Sequence, residues 1–213
     1  MPAAGHIATS PVTSPAIVLL AAGESSRYGG IKQLAAIEGQ PMVRRIASAC
    51  LDTGLPVIVV TGANAARVEA VLADLPLRIA RHAAWDEGMG SSLAAGVRDL
   101  RVRFPAASGV LLCLADQPMV DADALGRMLH RHGEAPDRLL VTRHAGVSGP
   151  PVLFPRDCLE ALAEWSGGRG AHALVEQQAA RVEWFDSPAG IDVDTPADMR
   201  DLREWLATKG IRP

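Results

Sequence analysis

Five charged side chains, spread over most of the sequence, have the types and surroundings needed to grip a phosphorylated ligand. Arg27 lies in, and Lys32 just after, the turn Gly23-Glu24-Ser25-Ser26-Arg27-Tyr28-Gly29-Gly30, which follows an apolar run from Ile17 to Ala22. Glycines and small serines let backbone N–H groups approach an anion, while an arginine fork and a lysine point charge suit phosphate oxygens. Their bland alternatives are a solvated turn arginine and a helix-start lysine. Asp116 ends a second wholly apolar run, Gly109 to Ala115. A carboxylate there is poorly solvated unless it meets a cation, and hard Mg²⁺ prefers oxygen ligands shared with phosphates and water. Asp192 is the first candidate for a second carboxylate and Asp194 its competitor; Asp194 or Thr195 is also suited to cap a helix starting at Pro196.

These residues need a scaffold that brings distant positions together. Ile17–Ala22, Pro56–Thr61 and Gly109–Ala115 have no period-2 alternation, as expected of strands covered on both faces. Leu77–Ala80, Leu139–Thr142 and Arg181–Phe185 read as further strands. Helices are expected over Pro41–Leu51, from Asn64 to Leu72, and over Leu93–Leu100, Asp121–His132, Arg156–Ala163, Gly170–Gln178 and Pro196–Leu206. The turn Gly88-Met89-Gly90-Ser91-Ser92 precedes the third of these, where Ser91 or Ser92 is suited to capping. Ser148–Phe154 is too rich in proline for a central strand and reads as a loop entering an edge strand, and a turn is expected at Gly167-Gly168. This alternation predicts a three-layer α/β/α sandwich with a Rossmann-like, mostly parallel sheet. Ligands of such sheets bind at the carboxyl ends of the strands, which would gather Gly23–Lys32, Gly88–Ser92 and Asp116–Pro118 at one edge.

Composition narrows the function classes. The 213 residues are 48% hydrophobic, enough for a sizeable core, and the formal net charge of −3 with no long basic run argues against a nucleic-acid surface. Cys50, Cys113 and Cys158 form no C-x-x-C pair, and the six histidines show no H-E-x-x-H spacing, so neither a zinc site nor a disulfide framework is expected. Cys113 reads as a core residue. Residues 1–15 read as a flexible leader without the pattern of a signal peptide, 16–208 as a single domain with no internal repeat, and 209–213 as a short tail. No apolar run reaches the roughly 18 residues of a membrane span, and the expectation is a cytoplasmic protein.

Two common phosphate loops are excluded. A dinucleotide loop needs G-x-G-x-x-G, and the residue two after Gly23 is Ser25; a Walker A loop needs G-K-[ST], and Lys32 is followed by Gln33. What the stretch Leu20–Leu34 does match is L-A-A-G-x-S-x-R-x-G-x-x-K-x-L. It resembles the opening signature of the nucleotidyltransferases related to the molybdenum cofactor enzymes (the MobA-like family) and, more distantly, of sugar-1-phosphate nucleotidyltransferases. Trp85–Leu93 looks like that family's second nucleotide-contacting loop, Leu114-Ala115-Asp116-Gln117-Pro118 like its metal-binding aspartate motif, Gly149–Phe154 like its G-x-P segment, and Asp192–Asp198 like its terminal D-x-D-T-P-x-D. The combination is most similar to the molybdenum cofactor cytidylyltransferases, since guanylyltransferase relatives usually carry glycine where this sequence has Ala22. Tyr28 departs from the usual methionine.

The resemblance implies transfer of CMP from CTP to the terminal phosphate of molybdenum-molybdopterin, with Mg²⁺ as cofactor and pyrophosphate as leaving group. It further implies transient contact with a molybdenum hydroxylase or its maturation chaperone. Arg27, Lys32 and Asp116 are the implied catalytic residues. Leu20, Ala21, Ala22, Gly23, Ser25, Ser26, Arg27, Lys32, Gly88, Gly90, Ser91 and Ser92 would contact the nucleotide, and Asp116 with Asp192 or Asp194 would hold the metal. Trp85 suits either base stacking or anchoring of its loop. The competing expectations are a guanylyltransferase, a sugar-1-phosphate nucleotidyltransferase, and a non-catalytic molybdenum cofactor chaperone.

Overall fold

The computed structural model describes residues 14–144, 146–166, 171–187 and 192–209. The expected leader (up to residue 13), the Gly167-Gly168 turn and the tail from 210 lie outside them. The chain order is β1 (Ala16–Ala21), β2 (Ala36–Ile37), β3 (Gln40–Pro41), α1 (Met42–Leu51), β4 (Val57–Thr61), α2 (Ala65–Ala70), β5 (Arg78–Arg81), α3 (Met89–Arg103), β6 (Gly109–Leu114), α4 (Ala122–Glu134), β7 (Leu139–His144), β8 (Val147–Pro155), α5 (Leu159–Ala163), α6 (His172–Gln177), β9 (Val182–Asp186) and α7 (Pro196–Lys209). Seven strands form one sheet in the order β5-β4-β1-β6-β8-β7-β9, and β2 pairs with β3 as a separate hairpin.

The sheet is mostly parallel: β1 pairs in parallel with β4 and β6, β4 with β5, and β7 with β9. β8 runs antiparallel to both its neighbours. The missing alternation of β1 is explained by its two coats. Val18 and Leu20 pack with Leu93, Val97 and Leu100 of α3 and with α5 and α6, whereas Ile17 and Leu19 pack with Val43 and Ile46 of α1, Val68 of α2 and Leu125 of α4. Burying each such aliphatic side chain contributes about 1.5–3 kcal/mol, so both layers hold the strand. Gly96 permits the close approach of α3, because a Cβ there would stand 2.6 Å from Val18 Cγ1. A third, smaller core joins Ile37, Met42, Val193, Met199 and Leu202, with Tyr28 and Met119 packed against it.

One expectation is corrected. The Ser148–Phe154 segment belongs to an interior strand, not to an edge. Pairing of β8 with β6 runs from Gly109↔Pro155 to Leu112↔Val152, so Pro150 and Pro151 fall beyond its end. On the other side the register with β7 shifts between Val141 and Thr142, where these prolines lie. The Thr142 hydroxyl donates to the Pro151 carbonyl at 2.7 Å, so the irregularity is bonded. Prolines at a bulge leave the rest of the strand free to pair.

Candidate active site

The chain leaves central β1 first toward β4 and β5, then crosses to β6 on its other side, which opens a crevice at their carboxyl ends. A cleft of about 470 Å³ lies there, lined by Leu20 to Arg27, Lys32, Trp85, Ser92, Asp116, Asp192 and Asp194 among others. Asp116 follows the wholly buried β6 after one further buried residue, Ala115. The Val193 N–H donates to the Asp116 carbonyl at 2.8 Å, pinning the Asp192–Asp194 segment beside it.

Lys32 lies at the centre of the charge network. Its Nζ is 2.7 Å from Asp116 Oδ2 and 2.7 Å from Asp194 Oδ1, with 13% of the side chain exposed. Desolvation works against the ammonium, but Asp116 and Asp194 outweigh it and hold Lys32 above its ordinary pKa. Arg27, 72% exposed, reaches Asp194 Oδ2 at 2.8 Å. Desolvation pushes Asp194 up, and Lys32 and Arg27 more than reverse this, leaving its carboxyl below the ordinary range.

Asp192 behaves differently. Its Oδ1 accepts from Gln117 Nε2 at 2.9 Å. Desolvation pushes its carboxyl up, Gln117 and Lys32 oppose the shift, and the Asp116 and Asp194 charges add to it. The helix-cap role falls to Thr195 and Asp198. Asp198 Oδ2 accepts from the Thr195 N–H at 2.7 Å and the Asp194 N–H at 3.0 Å, and the Asp198 N–H points back to Thr195 Oγ1 at 3.3 Å. This reciprocal box at the start of α7 leaves the Asp194 carboxylate to the two cations.

Asp116 Oδ1 is buried with no hydrogen-bond partner. An orphaned carboxylate oxygen beside a second carboxylate fits a hard cation. Among the described residues no set of three His, Cys, Asp or Glu side chains is arranged to hold a metal. Two protein carboxylates completed by substrate phosphates and water are nevertheless the usual Mg²⁺ arrangement.

The structure separates the expected nucleotide-contacting residues. Leu20, Ala21, Ala22, Gly23, Ser25, Ser26, Arg27, Lys32, Gly88 and Ser92 line the cleft. Gly90 and Ser91 are buried inside α3 and do not. Neither serine caps α3: Gly88 begins it with φ 109°, a conformation that glycine adopts readily, and Ser91 Oγ donates to the Gly88 carbonyl at 2.8 Å. His82 Nε2 adds a 3.0 Å contact to Ser91 Oγ. Trp85 lines the cleft and packs against the core and against Gly62, as an anchor of its loop does. Tyr28 packs on the third core and so anchors the turn.

Gln33 was missed by sequence reasoning. It is 2% exposed, donates from Nε2 to the Gly23 carbonyl and accepts from the Ser25 hydroxyl, both at 2.8 Å. Its one sequence signal is position, directly after Lys32.

A three-layer fold with two cations and three carboxylates at a strand-end cleft defines the class of nucleotide-handling α/β proteins, and comparison with known proteins narrows it. Residues 17–182 match the model of the MobA-like NTP transferase domain, and the chain belongs to that family. It is 32% identical to nicotine blue oxidoreductase of Paenarthrobacter nicotinovorans, over 87% of this chain and 94% of that protein. It is 30% identical to purine catabolism protein PucB of Bacillus subtilis, over 89% of this chain and 96% of the relative. A solved structure of Rv0371c from Mycobacterium tuberculosis in complex with manganese is 29% identical, covers 90% of this chain and 99% of its own, and superposes with a TM-score of 0.74. No helix among the described residues is long and apolar enough to cross a membrane.

Proposed function

We propose that this protein transfers CMP from CTP to the terminal phosphate of molybdenum-molybdopterin and releases pyrophosphate. The observation that carries a transfer reaction is Lys32 held between Asp116 and Asp194 below the glycine-serine turn. The acceptor phosphate monoester, already ionised at neutral pH, attacks the α-phosphorus without a strong base. Charge then develops on the phosphoryl oxygens and the departing pyrophosphate. Arg27, exposed at the rim, would leave Asp194 and take two oxygens of the triphosphate tail. Lys32 faces the α-phosphate region as a point charge, and the turn's backbone supplies further donors. Asp116 and Asp192 would hold Mg²⁺, which when bound neutralises charge on the phosphoryl oxygens. Asp194, occupied by Arg27 and Lys32, is the weaker candidate for second ligand.

The choice of CTP over GTP rests on Ala22 in the opening signature, and the choice of acceptor on the similarity to molybdenum cofactor cytidylyltransferases. The relative named as an oxidoreductase raises a redox reading. That reading requires a hydride-carrying cofactor, and the turn after β1 lacks the second glycine of a dinucleotide loop.

Thermal unfolding with CTP, GTP or UTP, each with Mg²⁺, tests the base. A ligand at 100 times its Kd stabilises the native state by about 2.7 kcal/mol, a midpoint rise of about 5–10 °C for a chain of this size. CTP is expected to give that rise; a rise with GTP alone overturns the base assignment. Pyrophosphate release with molybdenum-molybdopterin tests the acceptor, and NAD(P)H oxidation without pyrophosphate release would favour the redox reading.

A further inference from the structure

Gln33 is a buried polar side chain that the transfer chemistry leaves unused. It stands beside Lys32 in the short 3₁₀ turn Lys32–Leu34, which leads out of the glycine-serine segment, and its amide is shut away from water. A buried amide must satisfy both its ends, and this one does so on two residues of the same segment, Gly23 and Ser25. Ser25 has φ 67°, in the left-handed region that residues with a Cβ rarely enter. Its hydroxyl is tied to Gln33, and its carbonyl accepts from the Tyr28 N–H at 3.0 Å. The bond from Gln33 therefore falls on the residue whose backbone most needs support. Gly23 to Gly30 lies outside any helix or strand, so side-chain contacts carry much of its shape. The neighbouring Lys32 turns the other way, to Asp116 and Asp194. A single turn of three residues thus ties the anion-binding segment to the principal cation.

We propose that Gln33 is a positioning residue: its amide holds Gly23 and Ser25 in the one conformation that presents the turn and Arg27 to a polyphosphate, in fixed relation to Lys32. The proposal rests on the nucleotidyltransferase reading. It assigns the Ser25 hydroxyl to Gln33 and not to substrate. It also makes the effect of Gln33 specific to the phosphate part of the ligand, without regard to the base.

The test uses the full chain with Gln33→Leu, Ser25→Ala and the double variant. Affinities for CTP and for inorganic tripolyphosphate, each with Mg²⁺, are measured by titration calorimetry, and KM and kcat are measured with molybdenum-molybdopterin as acceptor. Gln33→Leu is expected to weaken CTP and tripolyphosphate alike by about 10–100-fold, the scale of small misplacements, and to leave the acceptor KM unchanged. Ser25→Ala weakens both less, and the double variant is no weaker than Gln33→Leu, because the two substitutions break one shared contact. Unchanged polyphosphate affinity in Gln33→Leu, a loss confined to kcat, or additive effects in the double variant overturns the proposal. If Gln33→Leu loses its cooperative unfolding transition, Ser25→Ala decides alone, and unchanged affinity there overturns it. Wild-type protein that binds tripolyphosphate but none of CTP, GTP and UTP contradicts the nucleotidyltransferase reading and leaves the comparison of Gln33 and Ser25 on tripolyphosphate intact.

Discussion

Lys32 Nζ stands 2.7 Å from Asp116 Oδ2, although the two residues are 84 positions apart in the chain. Each neutralises the other while no substrate is bound, and each is exposed to the cleft on its remaining side. Asp116 carries a cost even so, because its Oδ1 is buried without a partner. Asp116→Asn removes one of the two carboxylates that pair with Lys32, and is expected to lower pyrophosphate release by about 10²–10³-fold and to lower the thermal midpoint as well. Wild-type turnover in that variant removes Asp116 from the mechanism.

The two cations should separate kinetically. Lys32 is largely enclosed and Arg27 hangs at the rim, so Lys32→Ala is expected to reduce kcat by about 10²-fold or more, whereas Arg27→Ala raises the KM for CTP first. Steady-state kinetics with varied CTP checks this, and near-normal turnover after Lys32→Ala would sink the α-phosphate role.

Asp192 and Asp194 are distinguishable by stability. The folded-state pKa of Asp192 is raised, so the unfolded chain gives up that proton first and the native state loses stability as pH rises through the ordinary carboxylate value. Asp194 has the opposite sign: its contribution is present above the ordinary value and is lost as pH falls through the lower folded one. At pH 7 Asp192→Asn is expected to raise the thermal midpoint and Asp194→Asn to lower it. If Asp192 is the second ligand, Mg²⁺ stabilises wild type more than Asp192→Asn. Equal Mg²⁺ shifts in the two proteins would exclude it.

His132 gives a pH signature remote from the cleft. Its ring is 3% exposed, Nε2 meets Ser108 Oγ at 3.0 Å, and buried Nδ1 has no partner. Desolvation lowers its pKa below the ordinary 6.5, outweighing the contact with Ser108. The unfolded chain takes up this proton first, so stability is full above pH 6.5, declines as pH falls below it, and levels off beneath the folded value. Urea unfolding at pH 7.5 and 5.5 should show a loss in wild type that is smaller in His132→Leu.

Much of the central scaffold was readable because β1, β4 and β6 are coated on both faces and so carry no polar side chain except Thr61 at the end of β4. Asp116 stood out for the same reason, as the first charge after such a run. β8 was misread because proline's missing donor argues against pairing, and nothing local reveals that the pairing with β6 stops at Val152. The serines of α3 were misread because Gly88, not a side chain, starts that helix. Gln33 was invisible because glutamine is ordinarily a surface residue, and its burial depends on a turn whose path is set by the third core around Tyr28 and Val193.

The floor of the cleft offers a steric test of how the nucleoside is held. Gly62 follows β4, and a Cβ there would lie 2.7 Å from the Ala22 carbonyl oxygen and 2.6 Å from Trp85 Cβ. The Ala22 carbonyl cannot yield easily, since it accepts the Ala63 N–H at 3.0 Å. Gly62→Ala must then displace Trp85, at a cost of about 1–3 kcal/mol for overpacking. Because Trp85 and Ala22 both line the cleft, CTP affinity should fall, whereas tripolyphosphate, which has no base or ribose, should bind as in wild type. Ala22→Gly is the complementary change: it opens space at the position associated with base choice and is expected to raise kcat/KM for GTP relative to CTP. If Gly62→Ala leaves CTP affinity intact, or weakens tripolyphosphate equally, the nucleoside does not rest against Trp85 and Ala22.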